Sequence, residues 1–331
     1  MLTTAILVHP GSALRGPFRH RLPRLALGLA AAVAITCCAI LQGVAAERTV
    51  RDATGRDVVV GDAKRIVTIG GAVTEIVYAL GAADRVVARD STSSYPPAAL
   101  EKPDVGYMRA LSAEGVLSMK PDLIIAVEGS GPKEVVEILE SASVPMVMVP
   151  EHYSAEGIAE KVKLIAAVLG EDDRGAALAG DIEAKFAALS SALAKLPEAD
   201  RKKAVFLMSI ADGKPLAAGS KTAADAIIHL AGATNPMADI PGYKPASDEA
   251  LAAAAPAAVV MMNRHGADAP SPDKVFAVPA LSTTPAAASR SLVVMDGLYL
   301  LGFGPRTADA ARDLAHALYP GLALPEASAA Q

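Results

Sequence analysis

Short apolar runs rich in valine and isoleucine alternate along the chain with segments whose apolar residues recur at helical spacing. In the first half the strand-like runs are "RIVTI", "DLIIAV" and "PMVMV", and the helical patterns between them include "AVTEIVYALGA" and "PKEVVEILESA". Such alternation is typical of parallel sheets covered by helices. The sequence therefore predicts an α/β fold.

A long helical pattern divides this rhythm into two halves. The chain reads as helical from Ser154 to Leu196, with one interruption at "GEDD", and Pro197 closes the pattern. The strand and helix patterns then resume with "KAVFLM", "TAADAIIHLAGA" and "AAVVMM". We predict two Rossmann-like lobes joined by one long rigid helix, with a ligand cleft between the lobes.

Two segments share the order Gly-Tyr, loop, serine cap, glutamate, helix, proline, strand. They are "GYMRALSAEGVLSMKPDLIIAV" and "GYKPASDEALAAAAPAAVVMM". This order indicates an internal duplication, although chance similarity between alanine-rich segments is an alternative. The predicted parts are a signal peptide (1–46), an N-terminal α/β lobe (47–172), an interdomain helix (173–197), a C-terminal α/β lobe (198–323) and a tail (324–331).

The first 46 residues have the composition of an export signal. They contain four arginines and no acidic residue, then the apolar run "LALGLAAAVAITCCAIL", and Val44 and Ala46 suit the −3 and −1 positions of a cleavage site. We expect a Sec-type signal cleaved near Ala46, with a retained membrane anchor as the alternative. Both cysteines, Cys37 and Cys38, lie in this segment, so the mature chain would hold neither disulfides nor thiols, and the periplasm is its expected compartment.

The charge of the mature chain and the motifs that it lacks exclude several classes of function. Loss of the four arginines takes the formal charge from −5 to −9, which makes nucleic acid a poor partner. The sequence has no G-x-S-x-G motif, no Walker glycine loop and no thiol in the mature chain, so we predict no enzyme. We expect a monomer.

Several blocks of the chain carry a family likeness. The runs "DVGYMR", "AAGSKTAADAIIHLAGATNPM", "GYKPASDEAL" and "LLGFGPR" resemble the periplasmic haem-binding proteins of bacterial ABC haem importers, over about residues 65–319. The resemblance implies ferric haem as the transported ligand and an inner-membrane ABC permease dimer with its ATPase as the partner. Cobalamin- and siderophore-binding proteins share the two-lobed shape and are the alternative.

Tyr107 and Arg109 are the main candidate site residues. The resemblance implies that Tyr107 ligates the haem iron and that Arg109 bonds the phenolate or a propionate. Ferric iron favours an anionic oxygen, and the metal charge with a nearby guanidinium would favour the phenolate although a free phenol ionises near pH 10. The alternative is that Tyr107 packs on its loop and Arg109 is a surface charge. Some family members carry a second axial histidine in the loop after the first strand of the second lobe. Here that loop reads "SIADG" and contains no histidine, which argues against six-coordinate binding by a tyrosine and a histidine.

Further candidates surround this pair. Tyr243 could stack on the porphyrin, compete as a ligand or anchor its loop. Gly70 and Gly71 open a helix, where bare backbone amides would suit a propionate, although glycine pairs also serve simple turns. Arg264 could contact a propionate or be a surface charge, and His265 is the best-placed histidine for a second axial ligand.

Glu114 and Glu249 occupy matching places at the starts of two short helices. In the superfamily that the chain resembles, such a pair docks onto arginines of the permease, one per subunit. A carboxylate in the first turn also stabilises a helix by itself, which is the alternative role.

Overall fold

The computed structural model describes residues 47–263 and 270–326. The predicted signal peptide, Arg264, His265 and the end of the predicted tail lie outside the described residues. Within the described ranges, no helix is both long and apolar enough to cross a membrane.

The N-terminal lobe is built on a four-stranded parallel sheet, preceded by an antiparallel hairpin. The elements are β1 (Arg48–Arg51), β2 (Asp57–Val60), β3 (Ile66–Ile69), α1 (Gly71–Ala79), β4 (Val86–Arg89), α2 (Ala113–Ser118), β5 (Leu123–Val127), α3 (Lys133–Ser141) and β6 (Met146–Val149). Strands β1 and β2 form the hairpin, and the sheet has the order β4-β3-β5-β6. Strands β3, β5 and β6 are buried along their whole length, as expected for a sheet covered on both faces.

Two long helices follow this lobe. They are α4 (Ala155–Leu169) and α5 (Asp172–Leu193). Ser154 caps α4 by accepting a hydrogen bond from the Gly157 amide, and Gly170 ends the helix in a left-handed conformation. The break between the helices falls where "GEDD" predicted it.

The C-terminal lobe has a five-stranded mixed sheet. Its elements are β7 (Ala204–Ala211), β8 (Lys214–Ala218), α6 (Ala223–Leu230), β9 (Tyr243–Pro245), α7 (Asp248–Ala254), β10 (Ala258–Asn263), α8 (Pro272–Phe276), α9 (Pro279–Ser282), α10 (Pro285–Ala288), β11 (Leu292–Asp296), α11 (Gly297–Leu301) and α12 (Thr307–Leu318). The order is β11-β10-β7-β8-β9, in which β7, β10 and β11 run parallel and β8 and β9 are antiparallel to their neighbours.

The segment "SIADG" differs from its prediction as a loop. Strand β7 continues through it to Ala211, and Asp212 and Gly213, with φ of 50° and 74°, make a tight turn into β8. Asp-Gly with two positive φ angles is the preferred two-residue hairpin connection. The second lobe therefore starts with a hairpin where the prediction placed a loop.

One apolar cluster runs through both lobes and the long helices. It contains residues of both sheets, of α1, α4 and α5 and of the last helix, among them Ile66, Val73, Ile158, Ile182, Phe206, Ile227 and Leu314. Two smaller clusters cover the outer faces of the sheets. The two lobes thus share a continuous core.

Candidate ligand cleft

A cleft of about 870 Å³ lies at the carboxyl ends of the parallel strands of both lobes. Residues that end or directly follow these strands line it: Gly70, Val127, Glu128, Glu151, Met262, Asn263, Asp296 and Gly297. In open α/β sheets this edge is where ligands bind. The volume suits a ligand the size of a cofactor. Five of the sequence-predicted site residues line the same cleft: Gly70, Gly71, Tyr107, Arg109 and Tyr243.

The backbone holds the loop of Tyr107 and Arg109 against the N-terminal lobe. The Ser91 amide donates to the Gly106 carbonyl oxygen (2.9 Å), and the Gly131 amide donates to the Met108 carbonyl oxygen (2.8 Å). Gly106 has φ +97°, which favours glycine. Met108 packs against the core, whereas its two neighbours are exposed. All three residues line the cleft, with Met108 packed on the core between the more exposed Tyr107 and Arg109.

Tyr107 is available to a ligand. Its side chain is one of the few large ones left exposed, with 47% of the residue surface accessible. Among the described residues, no hydrogen-bond partner of its hydroxyl is found. Within the part of the chain that the structure describes, the Tyr107 hydroxyl thus makes no hydrogen bond that stabilises its own loop.

Tyr243 stands at the start of β9 in the other lobe and is partly buried. Its ring meets the Phe206 ring edge-on, with centroids 6.5 Å apart. Burial, with a smaller contribution from Tyr153, raises the pKa of Tyr243 to about 12, although Arg109, the Thr222 hydroxyl and the Ala224 amide act in the opposite direction. The Arg109 charge also lowers the pKa of Tyr153, which burial raises. Arg109 therefore lies close to tyrosines of both lobes.

The glycine pair does not offer the bare amides that the sequence suggested. The Gly70 amide donates to Oδ1 of Asp90 (2.9 Å), and the Gly71 amide donates to Oγ1 of Thr92 (3.1 Å). A β-carbon at Gly71 would collide with the Leu298 side chain and lie 2.8 Å from the Thr92 carbonyl oxygen. The pair lines the cleft, and the lack of a side chain at Gly71 leaves room for Leu298 of the C-terminal lobe. The backbone amides of the pair already donate hydrogen bonds within the protein.

The remaining predicted residues fall in two groups. Arg264 and His265 lie outside the described residues. Glu114 and Glu249 are both exposed in the first turns of α2 and α7, and these helices are capped by Ser112 and Ser247, whose hydroxyls accept from backbone amides at 3.3 and 3.2 Å. Capping is thus done by the serines, although hydrogen bonds from its own amide and from Ser247 lower the pKa of Glu249.

Two buried polar connections between distant parts of the chain were not expected from the sequence, and one of them involves Glu151, which lines the cleft. Lys161 of α4 is fully buried; its Nζ lies 2.7 Å from Oε1 of Glu151 and 3.1 Å from the Phe303 carbonyl oxygen. Arg306 donates through Nε and Nη2 to the two oxygens of buried Glu75 of α1, both at 2.9 Å. Both link the N-terminal half to the segment around residues 303–306. Residues so far apart in the chain give no local sequence signal.

Lys221 is another residue that the sequence did not single out. It is exposed and lines the cleft from the loop before α6. Its φ is +61°, a left-handed conformation that residues with a β-carbon rarely adopt. Only the folded loop reveals this conformation, so the sequence held no signal for it.

Residues 66–298 match the periplasmic binding protein family. The match spans more than half of the chain, and the chain belongs to this family. The structure of the periplasmic heme-binding protein BhuT in complex with two hemes is 39% identical, with a TM-score of 0.73 over 78% of this chain and 99% of that one.

Two curated proteins are also similar to this chain. The uncharacterized ABC transporter substrate-binding lipoprotein YvrC of Bacillus subtilis is 26% identical over 275 residues, which are 82% of this chain and 85% of the relative. The vitamin B12-binding protein of Vibrio campbellii is 29% identical over 133 residues, 39% of this chain and 46% of the relative. The family comprises substrate-binding proteins of ABC importers, so the protein is not an enzyme, and an ABC permease with its ATPase is its partner.

Proposed function

We propose that the protein captures ferric haem in the periplasm and delivers it to an inner-membrane ABC permease. The observation that carries this proposal is the exposed Tyr107 phenol, which lines a cleft of about 870 Å³ together with Arg109. The apolar part of the lining, which includes Met108, Val127, Met208, Met262, Leu298 and Leu301, suits the faces of a porphyrin. The 39% identity to a periplasmic heme-binding protein supports the same cargo.

Tyr107 is the proposed axial ligand. As phenolate it would supply the anionic oxygen that ferric iron favours, and Arg109 would stabilise the phenolate or a propionate. Tyr243 is the weaker candidate because burial raises its pKa to about 12, so that its proton is held more firmly. Tyr243 would instead contact the porphyrin edge. Arg264 remains a proposed propionate contact and His265 a proposed second axial ligand.

The remaining steps concern export and delivery. The first 46 residues would direct export and be cleaved near Ala46. Helix α5 and the turn before it would form the rigid connection between the lobes. The N-terminal lobe would end at about residue 172, and the C-terminal lobe would begin at about residue 198. Glu114 and Glu249, one on each lobe and both exposed, would dock onto the two permease subunits.

Titration of the purified mature protein with hemin, followed by absorption, tests the cargo. We expect a Soret band that saturates, with a tyrosinate charge-transfer band in the visible region. Tyr107→Phe should remove the charge-transfer band, because a benzyl side chain cannot bind iron. Tyr243→Phe and Tyr153→Phe are matched controls in the same cleft and should keep the band. A charge-transfer band that survives Tyr107→Phe but disappears in Tyr243→Phe would show that Tyr243 of the C-terminal lobe, and not Tyr107, binds the iron.

A corrinoid is the second candidate cargo, since relatives include a vitamin B12-binding protein. The same titration with cyanocobalamin, alone and in competition with hemin, separates the two. Tight cobalamin binding that hemin does not displace would overturn the haem proposal.

A further inference from the structure

We propose that Lys221 binds a carboxylate of the transported ligand from the C-terminal lobe, opposite Arg109. This inference rests on the proposed function and assigns a cation for haem, which carries two propionates. Of the described residues that line the cleft, only Arg109 and Lys221 are cationic, and they belong to different lobes. A ligand with two carboxylates would thus meet one cation on each side.

Three carboxylates of the described residues line the cleft, those of Glu128, Glu151 and Asp296, and no ion pair joins any of them to Lys221. Glu151, which also lines the cleft, already pairs with Lys161 at 2.7 Å. Among the described residues, Lys221 has no ion pair and no hydrogen bond from its side chain. Its ammonium group would therefore meet the ligand without first breaking a contact inside the protein.

The loop of Lys221 is fixed rather than loose. The Gly219 amide donates to the Gly242 carbonyl oxygen, the Ser220 amide to that of Ile240, and the Gly242 amide returns to that of Ser220, all within 2.9 Å. Thr222 donates through its hydroxyl to the Gly219 carbonyl oxygen (2.8 Å) and accepts from the Asp225 amide (3.0 Å) as the cap of α6. This framework holds the backbone in place on both sides of Lys221.

The backbone of Lys221 has a left-handed conformation that is unfavourable for a lysine. At φ +61° the backbone conformation costs less energy for an asparagine or a glycine than for a lysine. A charged residue in a disfavoured conformation, on a fixed loop and at the cleft, is a candidate for a binding role that is kept at some cost in stability.

The surroundings on the same lobe favour an anion as well. Lys221 directly precedes Thr222 and the first turn of α6, whose Ala223 also lines the cleft. The Ala224 amide and the Thr222 hydroxyl act on the Tyr243 oxygen, which places that phenol beside the same turn. A carboxylate bound by Lys221 would therefore lie beside the Tyr243 hydroxyl, whose proton can be donated to it.

The test compares hemin with its dimethyl ester, both delivered from the same detergent, on wild-type protein and on Lys221→Asn. Asparagine tolerates the left-handed backbone but carries no charge. We expect the dissociation constant for hemin to rise about five- to tenfold, because a charge-assisted contact at a partly exposed site is lost. The dissociation constant for the ester should not change, and Lys221→Arg should bind hemin like the wild type. Lys244→Asn, an exposed lysine of the same lobe that does not line the cleft, is the matched control.

The outcomes separate the two proposals. Unchanged hemin affinity in Lys221→Asn, or an equal loss for hemin and ester, would overturn the assignment of Lys221 while the haem function stands. A wild-type protein that gives no Soret band with hemin would overturn both. Denaturant unfolding is the second readout: Lys221→Asn should be at least as stable as the wild type, whereas a purely structural lysine would leave the variant less stable.

Discussion

At the scale of single residues, Tyr107 and Tyr243 show that matching sequence positions need not have matching chemistry. Both follow a glycine with a left-handed φ, of 97° at Gly106 and 76° at Gly242. Tyr107 then lies exposed in a loop, whereas Tyr243 starts a strand and packs edge-on against Phe206. The surroundings of each ring decide which phenol is free to meet a metal.

The raised pKa of Tyr243 predicts a loss of stability in alkali. The phenol ionises near pH 10 in the unfolded chain and at about 12 in the folded protein, so the unfolded state loses its proton first as the pH rises. The protonated Tyr243 phenol should therefore make its full contribution to the free energy of unfolding below pH 10. This contribution should be lost between pH 10 and 12. Denaturant unfolding across this interval should show a smaller fall for Tyr243→Phe. Equal pH dependence in the two proteins would show that Tyr243 is not protected from ionisation.

The Gly70-Gly71 pair marks a limit of prediction from sequence at this scale. The turn, the helix that follows it and its place beside the cleft could be predicted from local spacing. The partners of its amides could not, because Asp90 and Thr92 come about twenty residues later and reach the turn only through the pairing of β3 with β4.

At the scale of elements, Glu75 and Arg306 connect helix α1 to the segment before α12. The guanidinium lies 3.5 Å from the centroid of the Tyr95 ring and also binds both oxygens of Glu75. Burial raises the pKa of Glu75, and Arg306 opposes that effect. The arginine thus offsets part of the cost of burying this carboxylate.

Arg306→Met should destabilise the protein by about 3 kcal/mol at pH 7, because it leaves a buried carboxylate without its cation. Without Arg306 the pKa of Glu75 should rise further, so the unfolded state ionises at lower pH than the folded one. The loss of stability should therefore be smaller at pH 5 than at pH 7. Denaturant unfolding at both pH values measures this difference.

Lys163→Ala is the control for that experiment. Lys163 forms an exposed pair with Glu183, between α4 and α5, with 57% and 52% of the side-chain surfaces accessible. Exposed pairs contribute about 0–1 kcal/mol, so a small loss without marked pH dependence is expected. An equally small and pH-independent loss for Arg306→Met would contradict a supporting role of Arg306 for Glu75.

The elements themselves were largely predictable. Apolar periodicity located β3, β5, β6 and β10, and the capping serines located α2 and α7, because these signals are local. The β7–β8 hairpin differs from the prediction although Asp212-Gly213 is a strong turn signal, because the apolar run "KAVFLM" ends before this turn and the strand continues beyond it. The contacts of Arg306 and Lys161 were beyond reach because their partners are brought together only by the packing of the lobes.

At the scale of the whole molecule, the continuous core restricts what the lobes can do. Residues of both sheets and of α4, α5 and α12 share one apolar cluster. A wide opening of the cleft would expose part of this cluster to water, at about 25 cal/mol for each Å². We therefore expect recognition by a permease to depend mainly on surface groups carried by the two lobes, rather than on a large closing motion.

Glu114 and Glu249 are the proposed groups, and reversal of both charges tests them. Glu114→Lys with Glu249→Lys should leave the dissociation constant for hemin within about twofold, because neither carboxylate lines the cleft. Hemin transport into proteoliposomes that contain the permease and its ATPase should fall at least about tenfold, since like charges would then face the permease arginines.

The matched control for this double variant is Glu134→Lys with Glu156→Lys. These residues are also exposed and also lie in the first turns of their helices, α3 and α4, so they share the helix-dipole contribution but not the repeated position before β5 and β10. If both double variants transport equally well, the carboxylates at α2 and α7 serve only their own helices. If transport fails in the first variant together with hemin binding, the loss lies in the cleft and not in docking. Transport that fails in the first variant alone, with hemin binding intact, would place the permease contact on the starts of α2 and α7.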